Sequence, residues 1–443
     1  MKNFIDTIKN IWKIQELRER ILITLGFLLV YRLGSFVVLP GIDPSGLEAF
    51  SQKANNGLLG LLNIFTGGAF SKASILALGI MPYISASIVV QLMGMAVPYL
   101  QKLQKEGESG RNKLNQLTRY LTVLITLAQA PSFLATLPVE AIVQFDSEMV
   151  NFMFKVLRGL ILVTGTMFAM WLGEKITDRG VGNGISLLIM IGIIASLPQS
   201  FAAEWDSVVG QGSGGLIKIL VELILLLFVI LLSVLLVQGV RRIPVQFAKR
   251  VAGQQYSGVR QYIPLKVNAA GVMPIIFAQA IMFIPISVSG FVSQDAEPSW
   301  FIREFSNFAG FWYNFVFALM IIVFTYFYTA ITVNTNQMAD DMKRNGGFVP
   351  GIKPGKETSE YLDSVMTKIV FPGSLFLAFL SIIPAFAMMA GVNDAFSRFF
   401  GGTSLLIMVG VVLDTLQQIE SYLLNRHYDG LMQTGRIQGR SAK

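Results

Sequence analysis

Few side chains in this 443-residue chain are suited to covalent or acid–base chemistry. It has one histidine, His427, and no cysteine. Disulfides, thiolate metal sites and cysteine nucleophiles are therefore excluded. His427 follows the last apolar run, so no buried Ser–His or metal–His pair can form around it. The sequence has no HExxH zinc helix and no GxSxG nucleophile elbow. It also lacks a Walker loop, so any ATP-driven work must be powered by a partner. GVGNG at 180–184 has no preceding strand and no phosphate-binding lysine in register. It reads as a tight turn between close-packed helices. Two carboxylates lie within apolar runs, Asp414 in VVLDTLQQ and Glu222 in IKILVELILL. An acid at membrane depth is a functional candidate by default, and two facing each other could cleave peptides. Neither flank carries a catalytic pattern, so both acids read as structural. No enzyme activity, cofactor or metal is expected.

The elements that must position any site are membrane helices. The chain is 53% hydrophobic and 14% charged, with mean hydropathy +0.59; soluble domains carry about 25% charged residues. A run of about 20 apolar residues spans a bilayer as a helix. Ten runs fall at 21–38, 74–97, 118–137, 154–172, 185–198, 215–237, 270–288, 311–333, 370–388 and 403–418, the fifth being short. They predict an all-α polytopic membrane protein with ten transmembrane helices. With the N-terminus inside, 27 Lys and Arg fall on internal segments and seven on external ones, with Arg32 inside the first span. That bias places both termini in the cytoplasm. Lys155 and Arg158 go against the rule at the external start of the fourth span, and their stems are expected to snorkel outward. Residues 1–20 are too charged for a cleaved signal. They predict a cytoplasmic amphipathic helix with Phe4, Ile8, Ile11, Trp12 and Ile14 on its buried face.

Five spans (21–198) precede an external hinge loop at 199–214, and five (215–418) follow it, with a cytoplasmic tail at 419–443. An odd number per half means that related halves would be inverted, which places a pathway between them. Between Asn56 and Gln91 the apolar residues Leu58, Leu59, Leu61, Leu62, Ile64 and Phe65 precede Gly67 and Gly68, and a full span then follows. A short apolar helix broken by glycines from the next span predicts a segment folded back into a cavity. Irregular backbone at membrane depth survives only where protein or water surrounds it.

Two internal loops exceed simple connections. Residues 238–268 carry Arg241, Arg242, Lys249, Arg250, Arg260 and Lys266 without an acid. The arms RRIPVQFA and QYIPLKV alternate as strands do, and Pro244 and Pro264 should confine each arm to a sheet edge. Residues 334–369 contain a stiff glycine- and proline-rich tip at 346–355 that projects Lys353. Both loops read as docking surfaces. The midplane positions Ile80, Ile84, Ile185, Ile189, Ile276 and Ile407 are aliphatic, where a small-solute transporter normally needs polar groups. Spacing alone does not assemble these isoleucines into a ring, and a transporter remains the alternative.

Long stretches carry a more specific signal: YRLGSFVVLPGID (31–43), GGAFSKASILALGIMPYISASIVVQL (67–92) and KEGESGRNK (105–113). LVTGTMFAMWLGEKITDRGVGNGIS (162–186), PLKVNAAGVMPIIFA (264–278), FVPGIKPG (348–355) and GGTSLLI (401–407) add to it. On these stretches the chain resembles the SecY family, the channel subunits of the bacterial Sec translocon. The resemblance implies two inverted five-helix halves around a central pore. A plug at about 57–70 would include Leu58, Leu59, Leu61, Leu62, Asn63, Ile64 and Phe65. The pore ring would be Ile80, Ile84, Ile185, Ile189, Ile276 and Ile407. Ser85, Gln91, Asn268 and Ile284 would lie at a lateral gate between the second and seventh spans. Arg241, Arg242, Lys249, Arg250 and Lys353 would dock the SecA ATPase or the ribosome. The family often has arginine where this chain has Lys353, and lysine keeps the charge without the planar fork. SecE and SecG are the implied companion subunits, signal peptides and unfolded precursors the implied cargo, and lipids the surroundings. The implied function is a protein-conducting channel of the bacterial inner membrane that also releases transmembrane segments laterally.

Overall fold

A computed structural model describes residues 12, 14–47, 50–51, 57–143, 146–209, 215–247, 261–282, 303–305 and 307–434. Helices form at all ten apolar runs, because a helix satisfies every backbone polar group within its own segment. They are α1 (Gln15–Gly34), α3 (Met81–Ala96), α5 (Glu108–Thr136), α6 (Glu148–Arg179), α7 (Gly184–Val209), α8 (Gly215–Gln238), α9 (Met273–Met282), α10 (Phe311–Thr332), α12 (Lys356–Met389) and α14 (Gly402–Thr434). Among the described residues, six of these are individually long and apolar enough to cross a bilayer. A seventh span is possible if α3 and α4 (Pro98–Lys105) count as one broken segment, bent by 103°. Extended Val97 and Pro98 make that bend.

Several helices extend past their apolar runs, since polar turns continue a helix at no cost once they reach water. The first helix starts at Gln15, inside the segment expected to lie on the membrane surface; residues 1–11 and 13 fall outside the described set. The fifth span is not short: α7 runs 26 residues through Pro198, and helix occupies most of the expected hinge loop. Residues 283–302, which include the end of the seventh run, lie outside the described residues.

Arg158 corrects another expectation. It is buried three turns into α6, where Nε donates to the Pro40 carbonyl at 3.0 Å and Nη2 to the Gly41 carbonyl at 2.8 Å. The non-helical segment after α1 presents the Pro40 and Gly41 carbonyls, the latter also accepting from the Val143 N–H at 3.1 Å, and the guanidinium meets them instead of snorkelling; Lys155 is exposed as expected. In the same segment the Ser45 N–H donates to Asp43 and holds that carboxyl below its ordinary pKa.

Helices on either side of the 210–214 connection meet where α7 packs on α8 and α14, and where α3 packs on α9. At the far end of α7, Lys218 lies 3.6 Å from Glu204 and 3.7 Å from Glu222, and donates to the Gly391 carbonyl at 2.8 Å. Glu222 is thus engaged there, while Asp414 lines a separate cavity beside Lys266. No carboxylate pair forms between them.

At the opposite end, β1 (Val240–Phe247) pairs antiparallel with β2 (Gln261–Lys266) and, through its last two residues, with β3 (Gly347–Phe348). The order β2-β1-β3 puts β1 in the centre. Pro244 is tolerated there because β3 pairs only with Gln246 and Phe247, which leaves the third-strand side of Pro244 open. Ile243 and Val245 point inward to a small core with Leu265, Met342 of α11 (Thr335–Arg344), Val349 and Leu362.

Candidate functional site: an aliphatic constriction under a re-entrant helix

The short apolar stretch forms α2 (Gly57–Phe65), which ends in two glycine-dependent hydrogen bonds. Gly68 N–H donates to the Asn63 carbonyl at 2.8 Å, and Gly67 N–H to that of Ile64 at 3.0 Å, with Gly67 at φ +64°. This is a Schellman termination, which requires a left-handed residue and favours glycine. The next span does not begin at residue 74. Residues 66–80 form an irregular strap, and the helix starts at Met81. Thr66, Ala69, Phe70, Ala73, Ser74, Leu76 and Ala77 are all buried. Their backbone is satisfied locally: Ser71 N–H donates to Asn63 Oδ1 at 3.0 Å, Leu76 N–H to Ser74 Oγ at 3.1 Å, and Ile75 N–H to the Val37 carbonyl at 2.9 Å.

The helix is wedged between two apolar cores. Leu61, Ile64 and Phe65 join the central core shared by α3, α7, α9 and α14, while Leu59 and Leu62 touch a second one around Leu39, Phe70 and Phe133. Asn63 is buried in the last turn of α2, where its Oδ1 accepts from the Ser71 N–H. The Leu58 side chain lies outside the described set.

Directly beneath, Ile84 of α3, Ile189 of α7, Ile276 of α9 and Ile407 of α14 converge on one cavity with Phe65, Met81 and Gln279. Its volume is about 10 Å³, at the limit for a single water. Two expected members stand apart. Ile80 is buried at the foot of α3, and Ile185 packs on Gly173 of α6. Each lies one turn from the layer that closes the centre. Met81 and Gln279 were not foreseen. Gln279 is a lone polar residue three positions after Ile276, the same helix face, and that spacing is the signal that could have found it. It is buried, and Nε2 donates to the Tyr313 hydroxyl at 3.5 Å.

Of the residues expected at a lateral seam, Ser85 bonds back to the Met81 carbonyl at 3.2 Å and Gln91 to Ser87 at 3.1 Å, each within its own helix. Asn268 is buried, its Oδ1 without a hydrogen-bond partner among the described residues, beside a second cavity of about 240 Å³. That cavity is also lined by Asn183, Ser186, Lys266, Tyr328 and Asp414. Ile284 falls outside the described residues.

The basic residues expected to dock partners are only partly placed. Arg241 and Arg242 are exposed on β1, and Lys353 is 84% exposed in a 3.6 Å pair with Glu357. Lys249 and Arg250 lie outside the described residues. The GVGNG turn serves packing: Gly182 has φ +85°, and its N–H donates to Gln418 Oε1 at 2.9 Å.

A polytopic helical bundle with a sealed aliphatic centre, a buried re-entrant helix and a polar cavity beside it defines a membrane protein of the channel class. Comparison with known proteins narrows this. The family model described as SecY matches residues 74–416. Protein translocase subunit SecY of Streptomyces scabiei is 42% identical over 434 residues, covering 95% of this chain and 98% of that one. The same-named subunit of Vibrio cholerae is also 42% identical over 434 residues, covering 96% of each chain. The chain belongs to the SecY family.

Solved structures share the fold at low identity. A protein conducting channel superposes with TM-score 0.66 at 16% identity, covering 95% of both chains. A SecY structure whose plug domain is described as stabilising the closed state gives 0.63 at 17% identity and the same coverage. Sec61 in the canine ribosome–channel complex gives 0.62 at 16%, again with 95% of both chains covered.

Proposed function

We propose that this chain is a protein-conducting channel of the bacterial inner membrane whose polypeptide path runs through the constriction of Ile84, Ile189, Ile276 and Ile407. The supporting observation is their convergence, from four helices, on one mostly apolar cavity of about 10 Å³ that Phe65 also lines. Branched aliphatic walls exclude ions because a charge there loses its hydration. They also form no strong hydrogen bonds, so an extended chain of any sequence slides past them. Ile80 and Ile185 complete the ring when the helices part. The plug, residues 57–70, covers the constriction and moves aside for cargo.

In this reading the two inverted halves, 21–198 and 215–418, part between α3 and α9, and a signal peptide opens that seam past Ser85, Gln91, Asn268 and Ile284. The sheet and the 346–355 tip face the cytoplasm with both termini. There Arg241, Arg242, Lys249, Arg250 and Lys353 dock SecA or the ribosome, and SecE and SecG complete the assembly. The protein acts as a passive conduit rather than an enzyme.

Vesicles reconstituted with the full chain and its companions test the function. The expected result is uptake of an unfolded secretory precursor that requires an added motor ATPase. Solute counterflow without precursor would establish the transporter alternative instead.

A further inference from the structure

Apolar packing around α2 is non-directional, yet its C-terminal turn is gripped at one point. Arg32, inside the first span, donates through Nη1 to the Gly67 carbonyl. The same nitrogen lies 3.4 Å from Ser35 Oγ, and the guanidinium carbon sits 4.8 Å from the centre of the Phe36 ring. Lys72, from the strap after α2, places Nζ 3.7 Å from the same ring. Among the described residues Arg32 pairs with no carboxylate. Its charge therefore rests on a backbone carbonyl at the negative end of the α2 helix.

The turn has no slack on its other side. A Cβ at Gly67 would sit 2.8 Å from Arg32 Nη1 and 3.0 Å from Gly192 Cα of α7. A Cβ at Gly192 would lie 2.5 Å from the Phe65 carbonyl. The plug turn is thus held between the backbone of α7 and the guanidinium of α1.

We propose that Arg32 is a latch, a positioning residue whose charge-assisted hydrogen bond to Gly67 keeps the re-entrant helix seated over the constriction. The inference rests on reading residues 57–66 as a plug. Arginine suits the task because its planar fork reaches the carbonyl while its face lies on Phe36; a lysine point charge meets only one of these demands. Hydrogen bonds to charged donors are the stronger kind. Losing this one should shift the open-to-closed ratio about tenfold. When the turn leaves, Arg32 retains Ser35 and Phe36, so release is reversible and the charge is never stranded.

The test uses the full chain with its companions, and the absence of native cysteine makes a single reporter possible. Leu61→Cys, at a site 2% exposed in the closed plug, is labelled with a membrane-impermeant maleimide, and ion conductance is recorded in planar bilayers. Arg32→Leu is expected to raise both labelling rate and resting conductance about tenfold, with Arg32→Lys falling between it and the parent. Deleting 57–66 is run in parallel. If the deletion raises conductance while Arg32→Leu leaves both readouts at the parent level, the latch is overturned and the plug reading stands. If the deletion also leaves conductance at the parent level, the plug reading fails and the latch fails with it. Should Arg32→Leu not accumulate in the membrane, Arg32→Gln carries the test. It keeps an amide donor without the charge, with about a threefold rise expected, and parent values overturn the latch.

Discussion

Two cavities drawn from the same helices differ in nearly every property. The constriction has a volume of about 10 Å³ and is lined by four isoleucines with Phe65, Met81 and a single polar residue, Gln279. The neighbouring vestibule has about 240 Å³ and carries Asn183, Ser186, Asn268, Tyr328, Lys266 and Asp414. Yet α7 supplies Ile189 to one and Ser186 to the other, α9 supplies Ile276 and Met273, and α14 supplies Ile407 and Gly410. Each switch takes three residues, a rise of about 5 Å. The aliphatic lining is therefore a layer about one helical turn thick, laid across several helices, and not a property of any one of them.

The largest effect that could break this contrast comes from above the layer. Deleting residues 57–66 removes Leu61, Ile64 and Phe65 from the central core. Each buries a side chain worth roughly 1.5–3 kcal/mol. Resting ion conductance in planar bilayers should rise by orders of magnitude; parent-level conductance would remove the plug from the account. Next in size, Ile84→Gly combined with Ile276→Gly should raise the leak by about tenfold, since voids of that kind cost about 2–5 kcal/mol in packing. Asp414→Asn, in the vestibule, should leave the leak unchanged. Equal leaks from the two variants would show that the seal is not confined to the aliphatic layer.

A smaller effect is expected at the sheet-bearing end. Reversing the exposed Lys353 to Glu should weaken motor-driven translocation about fivefold, as an exposed charge contributes about 1 kcal/mol, and the same change at Arg250, which lies outside the described residues, tests the other loop. Conductance should not change, and unchanged partner affinity in a pull-down would argue against docking there. The smallest is Gln279→Leu. It removes the polar member of the constriction and its bond to Tyr313, and the leak should fall by less than about twofold. A rise would mean that Gln279 braces the seal.

How much of this was legible in the sequence follows from what each signal measures. Hydropathy located a helix at all ten runs, because apolar length is what a bilayer selects. It misread 74–80, the second half of the strap, as helix. A buried irregular strap is as apolar as a span, and the hydrogen bonds that permit it, from Asn63, Thr66 and Ser74 side chains, exist only once folded. Charge counting treated Arg158 as a surface residue, since it cannot see the carbonyls of Pro40 and Gly41 that bury it. The isoleucines posed the opposite difficulty. Ile84 and Ile276 are chemically identical to lipid-facing neighbours, and only family resemblance grouped them. The strand arms were visible from alternation. That β1 is central was not, because β3 lies about a hundred residues later in the chain.

The central claim is that cargo passes through the aliphatic layer. The chain has no native cysteine, so one thiol at Ile84 or Ile407 can be paired with one in a precursor arrested midway. We predict an oxidative cross-link at both positions, and none from Leu227, which is 61% exposed on the outer surface of α8. Cross-linking at Leu227 with none at Ile84 or Ile407 would contradict it.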